Sequence, residues 1–221
     1  MNKGSDRNGA VAAITRDEAI SLLKPYLGKD LRPIADQCGV TVWKNGRKNK
    51  GWAGMVVEQL LGHRQDAEQA PDFGTWELKV VPVVRNAQGH WQVKETMAIT
   101  MIDAKNVAET PFEHSHLLDK LRALLVCARE WVKDADEHSR LVKLGVFDLA
   151  DGETFRQVQA DYETVQKTIR TEGAKALTGW MGNLVQPRTK GPGHGVFSHA
   201  FYARTAFVAR MLKLTDADGR G

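Results

Sequence analysis

The order of helical and strand-like segments predicts a mixed α/β domain built around one central sheet. Helical apolar spacing opens the chain at residues 15–27 and returns at 51–61 and 153–171. Strand-like runs fall between them, at 75–84, 91–102, 124–128 and 141–149. A length of 221 residues allows one sizeable core, and a composition of 42% apolar and 26% charged residues is globular and excludes a disordered chain.

Each element has a local reason. Residues 1–12 read as a flexible tail. Thr15-Arg16-Asp17-Glu18 is a capping-box pattern that opens a helix with the apolar face Ala19, Ile20, Leu22, Leu23, Tyr26 and Leu27, ended by Gly28. A short helix is expected around Pro33 to Cys38, stopped by Gly39. Residues 44–51 read as a basic loop. From Gly51 to Leu61, Trp52, Met55, Val56 and Leu60 share one helical face, and Glu58 is the only acid. A polar loop over 63–74 leads into the strand 75–84, and Asn86-Ala87-Gln88-Gly89 is a turn signal, so 75–102 is expected to form a hairpin or meander. Phe112 to Leu121 looks helical, and two strands follow at 124–128 and 141–149. Phe155, Val158, Tyr162, Val165 and Ile169 set a long helix; 173–195 is rich in Gly and Pro and reads as loop; 196–202 is extended; 203–212 is a basic amphipathic helix.

Several function classes are excluded. No run approaches the ~20 apolar residues of a membrane span, and the polar first ten residues carry no secretory signal pattern. Cys38 and Cys127 are far apart, and neither sits in a CxxC or His/Cys cluster. That argues against a thiolate zinc site or disulfide scaffold and for two reduced thiols in a cytoplasmic protein. His114 and His116 flank Ser115 with no GxSxG elbow, and His194 and His199 lack helical ligand spacing. Trp43, Trp52 and Trp76 are expected in the core, and the GPGHG run at 191–195 reads as a turn rather than a nucleotide loop.

The net charge of +4, from 31 basic and 27 acidic residues, says little until it is mapped. No acid lies between Asp36 and Glu58, where Lys44, Arg47, Lys48 and Lys50 cluster. None lies between Glu172 and Asp216, a stretch with Lys175, Arg188, Lys190, Arg204, Arg210 and Lys213. Two such stretches form either two edges of one nucleic-acid cleft or ordinary solvated faces.

The segment Pro71-Asp72-Phe73-Gly74-Thr75-Trp76-Glu77-Leu78-Lys79 carries the chemistry. On a strand Glu77 and Lys79 share a face, while Trp76, Leu78 and Val80 point to the core. Asp72, just before the strand, can reach the same face. Carboxylates at one strand end suit Mg²⁺, which polarises a phosphodiester, and a neighbouring lysine orients or deprotonates water. The short pattern alone also fits a solvated Glu/Lys pair on a surface strand. Glu58 on the preceding helix, and the basic loop leading into it, add the arrangement expected of a metal-dependent nuclease.

These residues resemble the MutH family, the strand-discrimination endonucleases of DNA mismatch repair, whose superfamily includes GATC-cutting type II restriction endonucleases. The resemblance rests on Lys50-Gly51-Trp52-Ala53-Gly54, Glu58, Leu61-Gly62, Asp72-Phe73, Glu77-Leu78-Lys79-Val80-Val81-Pro82 and Glu95-Thr96. It continues through Phe112-Glu113-His114-Ser115, Lys120-Leu121, Gln186-Pro187-Arg188-Thr189-Lys190 and Phe201-Tyr202, and spans roughly residues 15–213. It implies a restriction-endonuclease-like (PD-(D/E)xK) fold, a mixed sheet flanked by helices with a DNA-binding cleft. It also implies a single domain over 13–215, with a catalytic lobe near 13–105 and a DNA-reading lobe near 106–215. The implied catalytic set is Glu58, Asp72, Glu77 and Lys79, with Asp72, Glu77 and Glu58 serving Mg²⁺. Lys50, Gly51 and Lys120 would contact phosphate, Arg188 and Lys190 would reach DNA, and Tyr202 would sense the adenine methyl group. The implied activity is Mg²⁺-dependent nicking of the unmethylated strand at hemimethylated GATC, by a monomer working with a MutL-type partner. The alternatives are a restriction enzyme cutting both strands as a transient dimer, and a non-catalytic DNA-binding module.

Overall fold

The computed structural model describes residues 14–62, 71–135, 138–193 and 196–214. The expected tail over 1–12, most of the expected polar loop before Pro71, and His194 lie outside these residues. Helix α1 (Arg16–Leu23) opens on Thr15 with both halves of the capping box formed, and a 3-10 turn (Lys24–Tyr26) extends it. Helix α2 (Leu31–Gln37) is capped by the Asp30 side chain. The expected basic loop is instead a tight hairpin of β1 (Trp43–Lys44) and β2 (Arg47–Lys48). Its turn residues Asn45 and Gly46 both have positive φ, as the two-residue hairpin that matches strand twist requires. Helix α3 (Trp52–Leu60) follows as expected.

Strand β3 (Glu77–Arg85) is central. It pairs antiparallel with β4 (Trp91–Val93) and parallel with β6 (Ala123–Glu130), which in turn pairs antiparallel with β7 (Leu141–Asp148). The expected return strand over 91–102 divides: after β4 the chain leaves this sheet, and β5 (Met97–Ile102) joins another. That second sheet is antiparallel, in the order β5, β9 (Val196–Ala203), β8 (Val185–Gly193). The Gly- and Pro-rich segment after residue 173 therefore contains a strand. Between β5 and β6 lie an unforeseen helix α4 (Ala104–Glu109), a 3-10 turn (Phe112–His114) and α5 (His116–Leu121). The twenty-residue α6 (Glu153–Glu172) and α7 (Thr205–Met211) complete the chain.

Strand alternation divides β6 between two cores. Leu125 and Cys127 face α1, α2 and α3 with Trp52, Val56 and Leu78, while Leu124, Val126 and Ala128 face α5, α6, α7 and the second sheet with Tyr162, Phe201 and Phe207. Burial on both faces explains the unbroken apolar run of β6 and pushes the Cys127 thiol up to about 12, an inert core group. Arg16 locks α1 to β7 through a two-pronged pair with Asp148 at 2.7 and 2.9 Å. Leu22, Leu27 and Trp43, expected inside, are exposed: Leu22 lies on α1 away from its buried residues Ala19 and Leu23, Leu27 follows the 3-10 turn, and Trp43 sits on the β1–β2 hairpin.

Strand β7 must be small where α7 crosses it. A Cβ on Gly145 would lie 2.6 Å from the Met211 carbonyl oxygen and 2.9 Å from Leu212 Cα, both main chain. Gly145→Ala is therefore expected to destabilise the fold by about 1–3 kcal/mol, as overpacking does, read as a lowered unfolding midpoint in urea with unchanged slope.

Candidate active site

The loop before β3 is folded by its own aromatics. Phe73 and Trp76 stack with ring centroids 4.1 Å apart and planes 4° from parallel, and the Phe73 amide donates to the Trp76 carbonyl. The Trp76 indole donates to the Ile14 carbonyl, tying the loop to the start of α1. This closed turn brings Asp72 back beside the beginning of β3. Its amide donates to Glu77 Oε2 at 3.0 Å, and the Leu78 amide donates to Asp72 Oδ2 at 3.3 Å.

Glu77 is the first residue of β3 and is only 1% exposed. The expected strand face is therefore a buried one. Two ammonium groups compensate the carboxylate: Lys79, two residues along the same face, holds Oε1, and Lys120 holds Oε2 at 2.8 Å. Lys120 also lies 3.6 Å from Asp72 Oδ1. It stands in the last turn of α5, which packs on this face of the sheet, and is 6% exposed. Lys120 thus points inward onto the carboxylates rather than outward to phosphate, as the sequence suggests, because its helix is buried on that side. Burial, and after it the Glu77 charge, push the Asp72 carboxyl above its ordinary range against the pull of Lys79 and Lys120.

One cleft opens over this cluster. Asp72, Leu78, Lys79 and Glu58 line it together with Lys50 and Gly51 from the start of α3 and Lys190 from β8. A neighbouring hollow shares Lys79, Pro82 and Glu95, and adds Thr96, Arg188 and Tyr202. The two acid-free basic stretches thus meet over the carboxylates. Arg188 is oriented from two sides, donating to Thr96 Oγ1 at 2.7 Å and lying 5.7 Å above the Tyr202 ring. Lys190 reaches the Met101 sulfur at 3.7 Å. The Gly51 amide already donates to Asn49 Oδ1 at 3.1 Å, so Lys50 is the group at this lip with donor capacity for phosphate.

Glu58 lines the same cleft, but no group of three or more His, Cys, Asp or Glu side chains is gathered for a metal ion among the described residues. The carboxylates brought together are Asp72 and Glu77. The cleft also holds Arg129, which sequence reasoning passed over. It lies on β6 directly across from Pro82, is 8% exposed, and donates to Ser139 Oγ. Burial lowers its guanidinium pKa while the Glu95 charge raises it. An arginine ending the apolar run of β6 was the available signal.

A mixed sheet whose central strand opens on a carboxylate–lysine cluster under a basic cleft is the arrangement that the sequence resemblance implies for a restriction-endonuclease-like domain. Within that class the chain is similar to MutH proteins. The family model described as "DNA mismatch repair enzyme MutH" matches residues 61–161, which include Asp72, Glu77, Lys79 and Lys120. The DNA mismatch repair protein MutH of Shewanella sp. (strain W3-18-1) is 27% identical over 202 residues, covering 84% of this chain and 88% of that protein. Those of Haemophilus influenzae (strain 86-028NP) and Vibrio cholerae serotype O1 (strain ATCC 39541 / Classical Ogawa 395 / O395) are each 25% identical, covering 90% and 91% of this chain and 95% and 97% of theirs. Among solved structures the chain is similar to a complex of restriction endonuclease MvaI with its cognate DNA, at a TM-score of 0.37 and 13% identity, covering 82% of this chain and 94% of that one.

Two stability tests follow from the cluster. Lys120→Ala leaves Glu77 short of a cation in a buried site and is expected to cost about 3–5 kcal/mol, whereas Glu77→Gln/Lys120→Met together recovers most of that loss; urea unfolding of the parent and the two variants measures it. A raised Asp72 pKa means the native chain binds that proton more tightly than the unfolded chain. Stability therefore falls as pH rises from 3.8, the ordinary Asp value, through the native one. Asp72→Asn is expected to be more stable than the parent at pH 7, with the gap closing towards pH 4, in denaturation at the two pH values.

Proposed function

We propose that the chain is a Mg²⁺-dependent, sequence-specific DNA endonuclease acting in the cytoplasm. It nicks the unmethylated strand at hemimethylated GATC sites and works with a MutL-type partner in mismatch repair. The observation that carries the proposal is the Asp72–Glu77 pair, held by Lys79 and Lys120 at the floor of a cleft whose lips carry Lys50, Arg188 and Lys190. The relatives named as mismatch repair proteins support the setting.

The residues fit a hard divalent ion. Asp72 and Glu77 offer carboxylate oxygens; burial, and after it the Glu77 charge, raises the Asp72 pKa, and a bound cation would offset both. Mg²⁺ commonly takes one or two carboxylates and keeps several waters, so the pair suffices without Glu58 as a direct ligand. Bound there, the ion would supply Lewis-acid polarisation of the phosphodiester and neutralise charge on the leaving oxygen. The chain's own groups do the rest. Lys79, with a side chain 21% exposed, is both paired to Glu77 and open to the cleft, where its Nζ orients the attacking water. Lys120 meets the buried Glu77 carboxylate at 2.8 Å. Lys50 holds phosphate at the lip, and Glu58 lies where it can accept a hydrogen bond from water in the cleft. Arg188, held by Thr96 and Tyr202, presents a guanidinium for the paired acceptors of guanine in the major groove. Tyr202 beside it would meet the adenine methyl group.

Incubation with plasmids unmethylated, hemimethylated or fully methylated at GATC tests the reading. The expected outcome is Mg²⁺-dependent nicking of the first two, accelerated by a MutL homologue, and none of the third. Glu77→Ala and Lys79→Ala are expected to reduce cleavage by a factor of about 10³ or more, the scale of one lost electrostatic stabiliser, with DNA binding kept. Rapid double-strand cleavage without a partner would instead mark a restriction enzyme acting as a dimer, and binding without cleavage a non-catalytic module.

A further inference from the structure

Trp180 is 91% exposed, far more than any other exposed large apolar side chain among the described residues, the next being Trp43 at 52%. A lone exposed apolar group is ordinary on a loose surface. Trp180 is not on a loose surface. Its loop is fixed from both ends. Arg204 donates to the carbonyls of Gly179 and Gly182 at 3.0 Å each and to that of Met181 at 3.3 Å. Asp161, itself 2% exposed, accepts the amides of Asn183, Leu184 and Val185 at 2.7–2.8 Å. Gly182 sits at a φ of +72°, where a Cβ would fall 1.9 Å from the Val185 carbonyl oxygen. A buried carboxylate, a guanidinium and an obligatory glycine thus hold a tryptophan out in water, where it lowers no folding free energy by burial.

What it faces is set by its neighbours. Gly179, next to Trp180, packs beside β8 at Gln186, Pro187 and Arg188, each within 4 Å of where its Cβ would be. The loop therefore continues the wall that carries Arg188 and Tyr202. It also lies inside the stretch from Glu172 to Asp216 that contains no acid. A rigid, amphipathic aromatic beside a basic wall suits a polyanion that has flat apolar faces to offer, and the bases of duplex DNA do.

The structure assigns Trp180 the role of a DNA wedge: its indole packs against a base step flanking the pairs contacted from the Arg188 wall, and so favours sites that open easily. This rests on the chain being a DNA enzyme, as proposed above. The contact is apolar, so it adds affinity without adding a phosphate contact. In a Lys79→Ala background with Mg²⁺, binding to a duplex containing GATC is measured across salt concentrations. Adding Trp180→Ala is expected to lower affinity by about 5- to 100-fold, the range seen for loss of one aromatic–base stack, with the slope of log K against log salt unchanged. Trp180→Phe keeps most of the affinity. Adding Lys190→Ala instead reduces that slope by about 1. The DNA-induced quenching of tryptophan fluorescence shrinks in Trp180→Phe. The inference is overturned if Trp180→Ala binds as its parent does, a result that would point to a protein partner for this loop. A parent that binds no duplex at any salt would overturn the DNA reading itself, and this inference with it.

Discussion

Glu77 is the constraint on which the structure turns. A carboxylate 1% exposed at the start of a central strand is tolerable only if cations meet it, and two do, one on each oxygen. Those partners come from different levels of the fold. Lys79 is delivered by strand alternation alone. Lys120 is delivered by α5, which lies over the sheet because the connection between β3 and β6 must cross it for the two strands to run parallel. Asp72 is delivered by the Phe73–Trp76 stack, which curls five residues back on themselves. Sheet topology, a helix and an aromatic turn converge on one functional group.

The same economy operates on the opposite wall. Asp161 on α6 gathers three consecutive amides at the entry of β8, and Arg204 before α7 gathers three carbonyls of the loop ahead of it. These bonds fix where β8 begins. Arg188 and Lys190 therefore leave the second sheet towards the cleft rather than away from it. The groups proposed to cut and the groups proposed to read stand on separate sheets, joined where the chain leaves β4 for β5.

Much of this was legible in the sequence because it is local. The capping box at Thr15, the helix carrying Glu58 and the strand carrying Glu77 and Lys79 follow from spacing and appear where spacing puts them. Asp72, just before that strand, was expected to reach the same face, and the structure brings it to Glu77. What was not legible is long-range. The strand over 91–102 is a uniform pattern in sequence, and only pairing with β9 shows that its second half belongs to another sheet. β8 was hidden because Gly and Pro read as loop, whereas neighbouring β9 supplies the hydrogen bonds that overrule them. Lys120 was expected at phosphate from the resemblance, and nothing in its own segment marks the buried carboxylate 43 residues earlier. Arg129 was masked by the same blindness.

The central claim is that Asp72 and Glu77 jointly hold the divalent ion used for cleavage. Mn²⁺, a paramagnetic substitute for Mg²⁺, reports it directly, through its resonance signal in titrations of the full chain with uncleaved duplex. Parent chain and Asp72→Asn are compared at one pH. The account predicts that Asp72→Asn weakens ion binding at least about tenfold, in keeping with losing a ligand where losing even its supporting partner costs 10–100-fold. Equal affinity and equal stoichiometry in the two proteins would contradict it.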